Sequence, residues 1–598
     1  MGFPPFRQLL HTIAVVFAIA DGVKSVYEAE GQHVLDNVQH PGPVLSPDSP
    51  SHLPSQALKT ETPSFTGRTK SFPEDHPLCD LHSALATMQD QYFDIGLAKW
   101  GTSIDWTAAV MNTHMVGILS SMSLSLNSAP SATNDYVNNE ISRYFAQNTA
   151  FFYGENAFEI RMQAYDDILW VVLEWLDSIK FIEAHSTEHY AEAGSKNSDW
   201  HGKQFIPAFA HRARVFYELA EQGWDWRLCG GGMTWNPRLL PYKNAITNQL
   251  FISASINIYL HFPGDNNNSP FIPADSDAGD RDERSKNTED RYNLVYRENA
   301  INGYDWLKGS GMLNDQGLYA DGFHIHGYPR NKSATTCDSR NEMVYTYNQG
   351  VILSGLRGLW EATGDETYLE DGYDLVENVI KATGWNLSRQ READDRHKKW
   401  HSLGSAGILT ELCDPSASCN QDGQAFKGIF FHHLTAFCER LPLSAVKPGK
   451  THGAPTPLAN RHKGHCDSYT SWVVHNAQAA LKTRDHDGQF GSWWGSAAHK
   501  STRGENALIV QLPADAHDYR NFPRLLPSSM HPETRSFDLP SAFKEKMTHE
   551  SWAYPTAGPV PSGDLNDRGR GRTLETQGSG VAVVRAMSEF LRRREQNV

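Results

Sequence analysis

The chain has 598 residues, of which 39% are hydrophobic and 11% aromatic, and its formal net charge at pH 7 is −16. This composition supplies enough apolar surface for a large core. The acidic balance argues against nucleic acid or an anionic membrane surface as a main partner, because both attract positively charged proteins.

The first 77 residues lack the pattern of a folded domain. Residues 1–20 carry one arginine, then an apolar run, and end in Ala-Ile-Ala, which is typical of a secretory signal peptide. The run is too short for a spanning helix and no second one follows, so we expect no stable membrane insertion. Residues 21–77 are rich in Pro, Ser, His and Gly, which predicts a disordered leader. The protein is therefore expected to be secreted.

The seven cysteines fit an oxidising compartment, with several disulfide bonds and one cysteine left over. Cys413 and Cys419, in CDPSASC, are the pair that is easiest to join, and the other pairings stay open. Sequons at Asn267, Asn331 and Asn386 agree with export, although such triplets also arise by chance.

Beyond the leader, apolar residues recur at helical spacing and strand-like alternation is scarce. The spacing predicts helices over residues 82–100, 104–126, 160–185, 205–222, 243–261, 291–308, 343–363, 366–384, 424–440, 467–482 and 577–594. Roughly a dozen helices favour a toroid of helical hairpins over a small bundle, and no short repeat indicates a solenoid. We therefore predict one all-α catalytic domain over residues 78–598, with a long Pro-rich loop insertion at about 485–576.

Two adjacent aspartates, Asp166 and Asp167, lie in the apolar stretch RMQAYDDILWVVL. The ordinary explanation would be the first turn of a helix, where carboxylates favour the free N–H groups. Here apolar residues precede the pair, so the spacing predicts that the helix begins well before it. Two such carboxylates can hold their oxygens about 5 Å apart, as the nucleophile and acid/base of a retaining glycosidase require. Their repulsion keeps one protonated while the other is ionised.

Two other motifs have structural explanations beside functional ones. CGGGMTW, residues 229–235, lacks the Gly-Lys-Ser/Thr of a phosphate-binding loop. Its glycines fit a close approach of backbone to ligand and a tight structural turn about equally well. RGRGR, residues 568–572, predicts a loop with local salt bridges rather than an RNA contact.

Several histidines resemble metal ligands. They are HIH at 324–326, the pair His432 and His433, and HKGHC at 462–466. None has clear zinc spacing, so we expect no metal and no cofactor, and we predict that HKGHC is a surface loop with a disulfide cysteine.

Several stretches together resemble glycoside hydrolase family 76, the α-1,6-mannanase family of bacteria and fungi. They are ENAFEIRMQAYDDILWVVLEWL, CGGGMTW with YKNAITNQLF, TYNQGVILSGL and CDPSASCNQDGQAFKGIFF, in the family's order over residues 150–435. The double aspartate before a Trp-rich apolar helix is the family's central mark. The resemblance implies an (α/α)6 barrel and retaining endo-hydrolysis of α-1,6-linked mannan.

By the same resemblance, Asp166 is the nucleophile and Asp167 the general acid/base. The glycine-rich loop and the Tyr-Asn-Gln stretch would line the substrate cleft. Candidate sugar contacts are Trp170, Trp235, Lys243, Asn244, Asp321, Tyr347, Asn348 and Gln349. The expected partner is an α-mannan or a mannosylated glycan in the extracellular space or cell wall, and the protein is expected to be a monomer.

Three alternatives stay open. A second glycan instead of water could resolve the covalent intermediate, which would make the protein a cell-wall transglycosidase. A non-catalytic mannan-binding wall protein would keep the cleft aromatics, but the presence of both carboxylates disfavours it. A different (α/α)6 glycosidase would usually carry its carboxylates on separate loops, about 6.5–9.5 Å apart, for inversion.

Overall fold

The structure is a computed structural model that describes residues 78–127, 131–151, 163–190, 200–265, 281–393, 399–498, 515–521 and 563–595. The predicted signal peptide and leader lie outside these residues. The chain divides into two units, residues 1–69 and 70–598, and every described residue belongs to the second. Within the described ranges, no helix has both the length and the apolar character needed to cross a membrane.

Helices account for most of the described residues. They are α1 (Cys79–Tyr92), α2 (Asp105–Ser125), α3 (Ser131–Ala150), α4 (Tyr165–Tyr190), α5 (Ile206–Ala220), α6 (Ala245–His261), α7 (Arg281–Gly309), α8 (Tyr347–Thr363), α9 (Thr367–Ala382), α10 (Gln421–Phe437), α11 (Thr456–Leu481) and α12 (Leu574–Glu595). Single 3-10 turns occupy His201–Phe205, Glu221–Gly223, Trp494–Ala498 and Leu565–Asp567.

The strands are short, antiparallel and confined to the connections between helices. The pairs are β1 (Phe93–Asp94) with β2 (Lys99–Trp100), β6 (Trp385–Asn386) with β7 (Arg391–Glu392), and β8 (Gly404–Ser405) with β9 (Ile408–Leu409). A three-stranded sheet has the order β3 (Tyr242–Asn244), β4 (Gly322–His324), β5 (Ser339–Asn341). In its register Asn244 lies opposite Gly322, so this sheet brings the start of α6 beside the loop before β4.

The even-numbered helices form a closed inner ring. Helix α2 packs on α4, α4 on α6, α6 on α8, α8 on α10, α10 on α12, and α12 on α2. The odd-numbered helices form an outer layer, with α1 and α11 on α12, α3 on α2, α5 on α4, α7 on α6, and α9 on α8. The chain therefore alternates between outer and inner helices, and the predicted (α/α)6 toroid is confirmed.

The two layers differ in sequence because they differ in exposure. The inner helix α6 is buried along nearly its whole length, whereas the outer helix α9 buries one face through Leu369, Val376 and Ile380 and exposes Glu370 and Asp374. A helix that is apolar on every side must be covered on every side, and an amphipathic one covers its neighbour. This difference places the core at the ring and its contact with the outer layer.

Three local predictions are corrected by the structure. Helix α3 was not predicted, because its apolar stripe is limited to Val137, Ile141, Tyr144 and Phe145 in a polar sequence. Helix α4 begins at Tyr165, one residue before the aspartates and not well before them, so both lie in its first turn. The HKGHC stretch lies within α11 and is not a loop.

Disulfide bonds join Cys229 to Cys337, Cys413 to Cys419, and Cys438 to Cys466. The predicted Cys413–Cys419 pair is confirmed, and so is a disulfide at the cysteine of HKGHC.

The predicted salt bridges of RGRGR are confirmed at Arg572. Its guanidinium lies 2.6 Å from Asp564 and 3.5 Å from Asp485, and it also pairs with Asp567. The charge of Arg572 is therefore neutralised inside the protein, by two carboxylates of its own loop and one of another loop.

Basic side chains cover the C-terminal ends of the inner helices. Arg357 donates to the Glu439 carbonyl at 2.5 Å, Arg593 donates to the Thr435 carbonyl at 3.0 Å, and the Lys180 ammonium lies 3.5 Å from the Glu439 carboxylate. Cations at these ends offset the negative pole of each helix and bind its last carbonyl groups. Lys180 and Arg593 line a cavity of about 410 Å³ at this mouth of the barrel.

Glycines allow the inner helices to approach closely. A Cβ atom on Gly350 of α8 would lie 2.6 Å from the Cα atom of Phe430 of α10, and one on Gly428 would lie 2.6 Å from the Cα atom of Ser579 of α12. Because backbone atoms cannot rotate away, a larger residue must push the two helices apart.

We expect Gly350→Ala to lower the free energy of unfolding by about 1–3 kcal/mol through overpacking, although alanine is the better helix former by about 1 kcal/mol. The matched control is Gly464→Ala on the exposed side of α11, where a Cβ atom meets nothing within 4 Å and should stabilise the helix. Urea unfolding followed by circular dichroism measures both. Equal stability of the two variants would contradict the close-approach argument.

Candidate active site

The first turns of the inner helices meet at one mouth of the barrel. Trp106 of α2 donates its indole N–H to Asp422 of α10 at 3.1 Å, and the Thr107 hydroxyl donates to Glu575 of α12 at 2.9 Å. The inner helices therefore run in the same direction, with their positive poles at this mouth. Such poles favour carboxylates.

Asp166 lies in the first turn of α4 and is only 4% exposed. Its Oδ2 accepts the indole N–H of Trp235 at 3.0 Å, and the Trp235 carbonyl accepts the backbone N–H of Tyr165 at 2.9 Å. Burial raises the pKa of Asp166 to about 6, against the opposing charge of Arg520. The site thus holds a desolvated carboxylate that is ionised in most molecules at neutral pH.

Asp167 has a different environment from its neighbour. It is partly exposed, and its Oδ2 accepts the backbone N–H of Ala164 at 3.1 Å. This is the reverse half of a capping box, in which an acidic residue in the first turn reaches back to the N-terminal amide. The two adjacent aspartates therefore differ in exposure, since Asp166 is buried and Asp167 is partly exposed to solvent.

Arg520 is the cation among the carboxylates of this mouth. Its Nε lies 3.9 Å from Oδ1 of Asp321, and its charge also acts on Asp166 and Asp422. Burial raises the pKa of Asp422, and the positive charge of Arg520 opposes that rise. One guanidinium thus offsets part of the repulsion among three carboxyl groups.

Aromatic rings enclose the Arg520 guanidinium. Its central carbon lies 5.3 Å from the ring centre of Tyr347, 5.5 Å from that of Trp235 and 5.7 Å from that of Tyr519. Ring faces attract a cation, most strongly where water is excluded. They fix the charge in place, and the partly exposed ring of Trp235 offers flat apolar surface beside it.

Asp321 is fully buried and joins separate parts of the chain. Its Oδ2 accepts the hydroxyl groups of Tyr242 and, at 2.7 Å, Tyr519, and its Oδ1 accepts the amide of Asn348 at 3.2 Å. A buried carboxylate is stable when its lone pairs are satisfied in this way. Asp321 therefore connects β3, α8 and the segment of residues 515–521.

Residues 515–521, DAHDYRN, are held on both sides. Asn341 exchanges two hydrogen bonds with the His517 backbone at 2.9 and 3.2 Å, and the Tyr345 hydroxyl donates to Asp518 at 2.8 Å. The Asn420 amide donates to the carbonyl of Arg520 at 2.6 Å. Sequence reasoning missed Tyr519 and Arg520 because they lie in the Pro-rich insertion, where no local pattern marks a residue that reaches the site.

Among the predicted contacts, the mouth brings together Asp166, Trp235, Asp321, Tyr347 and Asn348. Tyr347 is buried and stacks on Phe426 with ring centres 3.8 Å apart.

Four other predicted residues have contacts inside the protein. Lys243 is fully buried and donates to the carbonyls of Gly232 and, at 3.4 Å, Asp225; burial lowers its pKa to about 8. Asn244 caps the N-terminus of α6, and Gln349 binds both backbone groups of Tyr319 at 2.8 and 2.9 Å. Trp170 stacks on Trp106, with ring centres 5.5 Å apart, below the mouth.

The glycine-rich loop is a structural turn that aims Trp235. A Cβ atom on Gly232 would lie 2.6 Å from the Trp306 ring, and the disulfide from Cys229 to Cys337 holds the start of the loop. Three glycines are thus needed for packing and backbone geometry.

The histidine motifs lie apart from one another. His324 stacks on Tyr242 with ring centres 4.0 Å apart, and His432 binds Asp177 at 3.2 Å at the other end of the barrel. Within the described ranges, no group of three or more His, Cys, Asp or Glu side chains is arranged to hold a metal ion.

Comparisons with known proteins point to one family. Residues 288–450 match the model described as Glycosyl hydrolase family 76, a region that includes Asp321 and Tyr347 but not the aspartate pair. The chain is similar to mannan endo-1,6-alpha-mannosidase DCW1 of Candida albicans, with 24% identity over 226 residues that cover 37% of this chain and 39% of the relative. Against DFG5 of Saccharomyces cerevisiae, which bears the same enzyme name, identity is 24% over 237 residues, or 38% and 39% of the two chains.

The matched part spans about two fifths of the length of these curated relatives. Among solved structures, the chain is similar to the alpha-1,6-mannanase GH76A from Salegentibacter sp. HEL1_6, with 16% identity, a TM-score of 0.43, and coverage of 86% of this chain and 98% of that chain.

The buried Asp166 should make stability depend on pH. Because burial raises its pKa from 3.8 to about 6, ionised Asp166 destabilises the fold above pH 6, and this penalty disappears as the pH falls toward 4. We expect Asp166→Asn to raise the free energy of unfolding at pH 7 by up to about 3 kcal/mol, and by little at pH 4. Urea unfolding at both pH values measures this.

The matched control is Asp177→Asn on the same helix. Burial opposes ionisation there too, but the bond from His432 lowers the pKa of Asp177 to about 2, so this variant should lose stability at pH 7. A loss of stability in both variants at pH 7 would contradict the electrostatic description of Asp166.

Proposed function

We propose that this chain is a member of glycoside hydrolase family 76, and that it is a secreted, retaining glycosidase that cleaves α-1,6-mannosidic bonds within mannan. The observation that carries the proposal is the pair Asp166 and Asp167 at the mouth of the barrel, one buried beside Arg520 and the other partly exposed. Two carboxyl groups in unlike environments can serve as a nucleophile and a proton donor in one reaction.

In the first step, an ionised oxygen of Asp166 bonds to the anomeric carbon, and the bond from that carbon to the glycosidic oxygen breaks. Asp167 passes its proton to the leaving oxygen. In the second step, water gives a proton to Asp167 and bonds to the anomeric carbon, while the ester to Asp166 breaks. Two displacements at one carbon restore its configuration.

The environments favour this division of roles. Asp166 faces Arg520, the indole N–H of Trp235 and the N-terminus of α4, all of which stabilise its anion. Asp167 is partly exposed, so water can reach its carboxylate and give it a proton in the second step. Burial of Asp166 raises the energy of its anion, which favours bond formation to carbon.

The ring of Trp235 suits a sugar. It is partly exposed beside the charged centre, and the apolar C–H face of a mannosyl ring packs well on such a surface. Its hydrogen bond to Asp166 would set the sugar over the nucleophile.

We expect Asp166→Asn and Asp167→Asn each to lower the release of reducing ends from linear α-1,6-mannan by at least about a thousandfold. An aryl α-1,6-mannobioside separates the roles, because its leaving group needs no proton. Asp167→Asn should release one equivalent of the aryl alcohol in a burst, and Asp166→Asn none.

Asp177→Asn, on the same helix but at the other mouth, is the control and should cleave mannan normally. Normal turnover by either pair variant, or failure of the unaltered protein to cleave both linear and branched mannan, would refute the proposed function.

A further inference from the structure

Arg520 carries hydrogen-bond donors that no described residue uses. Its side chain is only 10% exposed, yet within the described part of the chain its Nε and Nη2 are buried without a hydrogen-bond partner. The nearest carboxylate oxygen to Nε, on Asp321, is 3.9 Å away, which is beyond hydrogen-bond distance. Buried donors are nearly always satisfied in native proteins, so this pair calls for an acceptor from outside the described chain.

The two donors lie on one edge of the guanidinium. Nε–H and the neighbouring Nη2–H point the same way and can donate to two adjacent oxygen atoms at once. Asn420 holds the Arg520 backbone, and the rings of Trp235 and Tyr347 lie against its guanidinium. This edge is therefore fixed before any ligand binds. Preorganisation of this kind is expected at a binding site.

The charges around Arg520 decide between two kinds of acceptor. An anionic ligand would meet Asp166, Asp321 and Asp422, whose combined charge exceeds that of one guanidinium. A hydroxyl group carries no charge, and it can accept from Arg520 while it donates to a neighbouring acceptor. An uncharged pair of adjacent hydroxyl groups is therefore the ligand that fits.

Further unused groups lie beside this edge. The hydroxyl of Tyr347 and Oδ1 of Asn348 are also buried with no hydrogen-bond partner among the described residues. Asn348 donates to the same Asp321 oxygen that Nε of Arg520 faces. Donors and acceptors that lack partners thus converge on one place beside Asp166.

We propose that Arg520 is a substrate-binding residue whose Nε and Nη2 donate to two adjacent hydroxyl groups of the mannosyl ring at Asp166. The inference rests on the proposed function. A 1,6-linked mannosyl ring has free hydroxyl groups at C2, C3 and C4, so every adjacent pair includes the one at C3. The segment of residues 515–521 would then discriminate between sugars by the axial or equatorial orientation of their hydroxyl groups, whereas the aspartates act on the glycosidic bond.

The test uses calorimetric titration of α-1,6-mannotriose into the full-length Asp167→Asn protein, in which turnover is blocked. Adding Arg520→Lys keeps the charge but removes the paired donors, and we expect binding to weaken about tenfold or more. Arg484→Lys is the matched control, because Arg484 also lies over a ring, that of Phe490, and beside a carboxylate, that of Asp80. It should bind as the parent does.

A mannotriose that lacks the 3-hydroxyl on each ring identifies the contact. It should bind to the Asp167→Asn parent about tenfold more weakly than mannotriose does. On the Arg520→Lys background, the two sugars should bind with equal affinity. A full penalty on the Arg520→Lys background would overturn the assignment. So would displacement of mannotriose by millimolar inorganic phosphate that depends on Arg520, because the edge would then bind anions.

The outcomes separate this inference from the proposed function. If the parent binds mannotriose and Arg520→Lys binds within twofold of it, with unchanged Tm, only the role of Arg520 is overturned. If the parent does not bind mannotriose at all, the proposed function and the inference both fail.

Discussion

The closed ring of parallel inner helices is the constraint on which the site depends. Because α2, α4, α6, α8, α10 and α12 run in one direction, their N-terminal poles share one mouth. This concentration of free N–H groups and positive poles makes buried carboxylates tolerable there. Asp166, Asp422 and Glu575 each occupy a first turn of the ring, and the opposite end is covered by arginines instead.

Connections between the helices complete the mouth. The glycine-rich loop places the indole of Trp235 against Asp166. Residues 515–521 supply Arg520, and the three-stranded sheet before α6 places Asp321 beside that arginine. Burial pushes the pKa of Asp166 up while Arg520 and Trp235 oppose that rise. The protonation of the site is therefore set by desolvation on one side and a few fixed charges on the other.

The general fold and part of the site were predictable from sequence. Helical spacing and the scarcity of strands predicted the toroid. The aspartate pair was identified by its place in an apolar stretch, and the roles predicted for it came from the family resemblance. The polar helix α3 was missed because four buried residues make a weak stripe. Lys243 looked like a cleft residue, but its ammonium is buried under the loop it holds. Arg520 reaches the mouth from far along the chain, and no local pattern reports such a contact.

The central claim is that two adjacent aspartates in unlike environments carry out a double displacement at one sugar carbon. Proton nuclear magnetic resonance of the products, recorded within the first minutes of cleavage of linear α-1,6-mannan, tests it most directly. Because two displacements retain the configuration, we predict that the first new reducing ends are α anomers, before mutarotation. First-formed β anomers would show a single displacement and contradict the roles given to Asp166 and Asp167.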